Sequence, residues 1–195
     1  MSKDRTAERR WIRPAAGGFK TREAGDDLYI EGYFAVFNSD YEIAPGMTES
    51  IAPGAFTDEL TGDVRALVNH DDTLVLGRTI AGTTVLTEDD RGLYGSILIN
   101  RNDQDALNAY ARVDRGDVSQ CSFGFRILEE DFEERKDGSV HWTIKKVKLY
   151  EVSICTFPAY TDTNVKARKD DLDEIRERKK EVWRKSMLAK LKGGN

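Results

Sequence analysis

The strand-like runs of this chain follow one another through turns and not through helices, and no other feature constrains its fold as much. Residues 118–129 and 140–147 interleave β-branched or aromatic side chains with polar ones, and Asp137-Gly138 between them has the composition of a hairpin turn. A last strand, 147–157, is stopped by Pro158. Upstream, residues 28–37 read as a buried strand and 64–70 as a second. Residues 78–87 and 92–100 read as a β-pair joined by an acidic turn, and residues 38–46 as a polar loop. Helical signals in this part are confined to two places. One is a short helix after Phe56, capped by Thr57 or Asp58. The other is 103–113, where Ala106, Leu107, Tyr110, Ala111 and Val113 recur at helical spacing before Gly116-Asp117 ends the run. Hairpins without strand–helix–strand alternation predict a mainly β fold with flanking helices (α+β), built as a small, largely antiparallel β-barrel.

At 195 residues the chain suits one domain with extended or helical ends. Its net charge of −5 is unevenly spread. Residues 1–23 carry seven Lys/Arg against three Asp/Glu, a net of +4. Residues 24–167 sum to −13, and residues 168–195 return to +4. The reading that follows is a flexible basic arm over 1–24, a body over 25–168 and a basic charged helix or tail over 169–195. The basic ends either meet an acidic partner or the body, or are simply solvated. The acidic body would repel phosphates, which argues against nucleic acid as a partner. No stretch approaches the length of a membrane span, and no apolar segment follows the basic start, so neither a membrane nor a secreted protein is expected. Two cysteines and two histidines leave no disulfide framework and no zinc-ligand spacing. No glycine-rich phosphate loop follows a strand, and no cofactor is expected.

Three segments carry residues able to do chemistry. His70 ends an apolar strand, where a general base could meet solvent and substrate; the ordinary alternative is a surface histidine in a turn. In Ser119-Gln-Cys-Ser-Phe-Gly-Phe125, alternation puts Ser122, Gly124 and Arg126 on one face and Cys121, Phe123 and Phe125 on the other. The apolar face belongs to the core. The small polar face then offers Ser122 as a hydroxyl, with Gly124 leaving room for a substrate backbone. Cys121 is a rival nucleophile turned inward, Ser119 another on the opposite face to Ser122, and Cys155 a third thiol. Glu151 lies in an otherwise apolar strand, so burial demands a partner. That partner is either an imidazole, as in a catalytic triad, or a cation such as Arg126. His141 is an alternative third member, expected instead to be exposed on a polar hairpin.

Taken together, Leu67-Val-Asn-His-Asp71, the serine segment and Leu149-Tyr-Glu-Val-Ser-Ile-Cys-Thr-Phe-Pro-Ala159 resemble the prohead protease family of tailed phages and prophages. Glu31-Gly-Tyr-Phe-Ala-Val-Phe37, Ile51-Ala-Pro-Gly-Ala-Phe56, Leu76-Gly-Arg78, Asp90-Arg-Gly-Leu-Tyr94 and Arg115-Gly-Asp117 extend the resemblance over residues 25–168. It implies a serine endopeptidase with a fold like that of herpesvirus assemblins. It implies Ser122 as nucleophile, His70 as general base and Glu151 as the third member, a place where assemblins carry a second histidine. Such enzymes cut the scaffold segment from the major capsid protein, and often cut themselves, inside the immature shell in the host cytoplasm. On this reading the basic tail directs the enzyme to an acidic scaffold and is removed by self-cleavage, and assemblin analogy allows a homodimer. The competing expectation is a non-catalytic capsid assembly or scaffold protein that keeps a protease-like barrel.

Overall fold

A computed structural model of the chain describes residues 10–11, 19–157 and 162–192. The remainder of the N-terminal arm and Pro158, the expected strand stop, lie outside the described residues. The elements in chain order are β1 (Arg10–Trp11), β2 (Lys20–Ala24), β3 (Asp27–Val36), β4 (Tyr41–Ala44), β5 (Met47–Ile51), β6 (Arg65–Val68), β7 (Asp71–Arg78), β8 (Thr84–Glu88), β9 (Gly92–Leu98), α1 (Gln104–Asp114), β10 (Gln120–Glu134), β11 (Val140–Cys155) and α2 (Asp162–Lys192). They fall into two compact units, residues 1–160 and 161–195.

In the first unit, β2, β3, β9 and β8 form a four-stranded antiparallel sheet in that order. The other seven strands form a second sheet organised around β11. Along one edge β11 takes the antiparallel β10, whose far side carries β1 opposite Phe125 and Gly124. Along the other edge it takes two short strands in succession, β5 beside Val140 to Ile144 and β6 beside Glu151 to Ile154, both parallel to it. The expectation of a largely antiparallel barrel therefore needs two corrections. Two of the pairings are parallel, because β5 and β6 arrive by long connections and not by hairpins. Among the described residues the strand pairing forms two open sheets and does not close into a ring. The mainly β, α+β class stands.

Several local expectations also change. In place of two strands meeting at Val147 there is one, Val140–Cys155, with irregular register. The polar loop 38–46 contains β4, whose Tyr41 and Ile43 point into buried surroundings. The 78–87 strand begins only at Thr84, after a 3-10 turn at Thr79–Ala81. The helix after Phe56 is a single 3-10 turn without a side-chain cap, since the Thr57 hydroxyl donates to Glu88 Oε2 at 2.8 Å. By contrast α1 begins as its composition predicts. Asp103 Oδ1 accepts from the main-chain N–H groups of Asp105 (2.9 Å) and Ala106 (3.3 Å). Asp103→Ala is expected to cost about 1 kcal/mol, read as a small drop in the thermal midpoint.

The core lies where the inward residues of both sheets meet α1. Ile30 and Phe34 from β3, Phe123 and Phe125 from β10, and Val152 and Ile154 from β11 are essentially inaccessible. Ring centroids of Phe123 lie 5.5 Å from Phe56 and 4.8 Å from Phe125. Each fully buried side chain of this size contributes roughly 2–3 kcal/mol. Ala106, Ala109 and Val113 present the small face of α1 to the same cluster. The second unit holds the helix α2, which begins seven residues before the expected 169. Its exposed side chains form ion pairs at one-turn spacing, including Arg178–Glu174 and Lys185–Glu181.

Candidate active site

The site is built on the second face of the β10–β11 ladder, the one turned away from the aromatic core. The register sets Ser122 opposite Ser153, Gly124 opposite Glu151 and Gln120 opposite Cys155. Between Gly124 and Phe125 the register slips, so that Phe125 faces Leu149 and Tyr150 has no counterpart. This bulge decides which way Glu151 points. Strict alternation would place Leu149 and Glu151 on one face. With Tyr150 as the extra residue, Leu149 joins the core and Glu151 shares the face of Ser122 and Ser153.

His70 reaches this face from the adjoining strand. The β6–β7 hairpin turns in two residues, Asn69 and His70, with φ of 52° and 61°. Positive φ at both central positions is the signature of a type I′ turn, which favours Asn-Gly. Asn69 suits it; histidine in the left-handed region carries strain on the order of 1 kcal/mol. The turn is held from two sides. Asn69 main-chain N–H donates to Ile154 O at 2.9 Å, and the His70 main-chain N–H donates to Ser153 Oγ at 3.2 Å.

The side chains close a ring of contacts. His70 Nδ1 lies 2.7 Å from Glu151 Oε1, and Ser153 Oγ donates to Glu151 Oε2 at 2.7 Å. A carboxylate oxygen accepts, so this contact matches a ring that donates through Nδ1 and turns Nε2 to the other side. Glu151 is 3% exposed and the His70 side chain 14%. The carboxylate that the sequence required to be paired is thus paired with the imidazole, 81 residues away in the chain, and not with Arg126. Arg126 lies beyond the bulge, exposed and opposite Lys148.

Ser122 is 0% exposed, and its hydroxyl has no hydrogen-bond partner among the described residues. The expected open polar face is therefore a buried polar layer. Nor is Gly124 a gap for substrate: a Cβ there would collide with Glu151 Oε1, so the missing side chain makes room for the carboxylate. His70 and Glu151 are brought into contact; Ser122 is brought onto the same face, one strand spacing of ~4.8 Å from Ser153, whose hydroxyl accepts the His70 main-chain N–H. His70 Nε2 itself faces Cys155 Sγ at 3.8 Å.

The other candidates separate cleanly. His141 is not exposed: it is buried, with Nδ1 2.8 Å from Thr48 Oγ1 and Nε2 2.9 Å from Ser50 Oγ. It lies ten positions from Glu151 on the same strand, ~33 Å in an extended chain, which removes it as a third member. Ser119 is exposed and precedes β10. Cys121 is buried on the core face, its thiol 3.1 Å from Tyr33 O, and burial pushes its ionisation well above the usual thiol range. Burial, and after it the Glu151 carboxylate, pushes the Cys155 thiol up to about 12. Both thiols stay protonated at neutral pH, which disfavours a cysteine nucleophile. The folded chain is expected to resist thiol alkylation at pH 8 and to react at two positions once denatured; rapid labelling of the native protein would contradict this. Ser153 was not singled out from sequence. Its only signal there is its place two residues after Glu151, on the same face.

An imidazole held by a buried carboxylate, on a sheet face that also carries a serine hydroxyl, is the set of groups that serine hydrolases use. The chain belongs to the family of Caudovirus prohead serine proteases, whose model matches residues 18–178. It is 29% identical over 158 residues to the prohead protease of Enterobacteria phage HK97. That alignment covers 78% of this chain and 66% of the phage protein's length. No solved structure matches the chain significantly.

Proposed function

We propose that this chain is a serine endopeptidase that cleaves the scaffold segment of the major capsid protein, and itself, during phage prohead maturation. The observation that carries the reading is the 2.7 Å contact between His70 and Glu151, on the sheet face that also holds Ser122. Family membership supports the same choice. In the reaction, Ser122 Oγ turns to His70 Nε2 and gives up its proton as it attacks the scissile carbonyl carbon. The imidazolium formed is stabilised by Glu151. Nε2–H then protonates the departing amine as the C–N bond breaks. A water molecule, deprotonated by the same nitrogen, hydrolyses the acyl-enzyme and restores Ser122. Ser122 on β10 and His70 at the end of β6 flank β11 from its two edges, so the hydroxyl and Nε2 must approach each other across that strand for the reaction.

The same reading places the enzyme inside the prohead in the host cytoplasm, with the basic tail drawn to an acidic scaffold. It also carries an assemblin-related fold and a homodimer. A solved structure of the active enzyme would test the first by whether the two sheets close into one barrel, and its mass in solution would test the second. The central experiment is co-expression with the capsid precursor. The parent chain should yield a discrete shorter capsid product, and Ser122→Ala should yield none while keeping its circular dichroism spectrum. Continued cleavage by Ser122→Ala would remove Ser122 from its role. A parent chain that binds the precursor without cutting it would favour the non-catalytic assembly protein.

A further inference from the structure

We propose that Ser153 is a positioning residue for the His70–Glu151 pair; the inference rests on the protease reading above and deepens it. Ser153 is fully buried on β11, between Glu151 and Cys155. Its hydroxyl does two things at once. It accepts the main-chain N–H of His70 at 3.2 Å, and it donates to Glu151 Oε2 at 2.7 Å. The opposite oxygen of the same carboxylate meets His70 Nδ1 at 2.7 Å. One serine thereby ties the backbone and, through Glu151, the ring of the same histidine.

Both ties oppose a specific freedom. The His70 backbone sits in the left-handed region, where a non-glycine residue persists only if its surroundings hold it. The Glu151 carboxylate stands over Gly124, which offers no side chain to wedge it. Without Ser153, Oε2 loses its donor and the carboxylate can rotate about its last bond, carrying the imidazole with it. The position of Nε2, now 3.8 Å from Cys155 Sγ on the sheet face that also holds Ser122, would then be lost. Misplacement of a base by about 1 Å lowers catalysis roughly 100-fold. No step of the chemistry passes through Ser153, so its effect falls on kcat and not on substrate affinity.

The test is Ser153→Ala, with Ser153→Thr as the variant that keeps a hydroxyl. Ser153→Ala should lower kcat by roughly 10- to 100-fold with KM changed less than twofold, and Ser153→Thr should recover part of the loss. A second measurement does not depend on activity. In the proton NMR spectrum the Nδ1–H held by Glu151 should give a far-downfield resonance in the parent chain and in Ser122→Ala. In Ser153→Ala it should broaden or vanish, because the looser pair lets the proton exchange with water. Full kcat in Ser153→Ala, or a downfield resonance as sharp as the parent's, would overturn the proposal. If the parent chain cleaves nothing, the protease reading fails while the resonance still decides whether Ser153 holds the pair. If Ser153→Ala does not fold, the comparison of Ser153→Thr with Ser153→Cys, a weaker donor of similar size, takes its place: equal kcat and equal resonances in those two would overturn the proposal.

Discussion

His70→Gly and His70→Ala should both cleave at least about 10⁴-fold more slowly than the parent chain, yet the glycine variant should be the more stable of the two by about 1 kcal/mol. The loss of activity follows from removing the base. The stability order follows from the turn. Both variants lose the imidazole and leave the buried Glu151 carboxylate with Ser153 as its donor, so that cost is shared and cancels in the comparison. What differs is the backbone, which at this position has φ of 61°. Alanine must bear the left-handed strain that glycine does not. At an ordinary loop position with negative φ the order is reversed, because glycine loses more entropy on folding. For a protein of this size 1 kcal/mol corresponds to about 2–4 °C in the thermal midpoint, within reach of calorimetry. Equal midpoints would show that the turn is not strained as described, and substantial cleavage by either variant would show that His70 is not the base. The parent histidine is then a residue kept at a glycine position for chemistry, at a cost in local stability.

Gly124→Ala should be the most damaging single-methyl change on the β10–β11 ladder. The new Cβ would fall on Glu151 Oε1, with Glu151 Cδ and Cγ at 3.1 Å. A flexible surface glutamate would swing away. This one cannot do so cheaply, since its two oxygens are engaged by His70 and Ser153 at 2.7 Å each. Either the carboxylate leaves its partners or the strands separate. Overpacking of this kind costs about 1–3 kcal/mol, and displacement of the carboxylate should lower kcat by roughly 100-fold as well. The double variant Gly124→Ala/Glu151→Asp distinguishes the two effects. Aspartate withdraws the carboxylate by one methylene, so stability should recover while activity should not, because the shorter side chain no longer reaches His70. A stable and fully active Gly124→Ala would contradict this account of the glycine.

Much of this arrangement can be read from the residues in order. The strand at Asp27–Val36, the helix after its Asp103 cap and the turn at Asp137-Gly138 are all recorded in local composition, and Gly138 does take a positive φ of 84°. So is the need of Glu151 for a partner. The strand β7 is missed because its residues are largely exposed and its pairing with β6 slips twice, which hides the two-residue period. The parallel arrival of β5 and β6 at β11 is missed because nothing in a strand's own sequence names its neighbour.

Sequence by itself determined which segments are extended, where they turn, and that a hydroxyl, an imidazole and a carboxylate each sit at a strand or its end. These are properties of short windows, set by alternation and by turn chemistry. Tertiary structure alone decided that β11 would bulge at Tyr150 and so present Glu151 with Ser153 on the face of Ser122, that this face would be buried, and that His70 would be held over it in a strained turn. Those outcomes depend on how strands distant in the chain share one core, because a single extra residue reverses every side chain beyond it and only the packing of the whole decides where that residue goes.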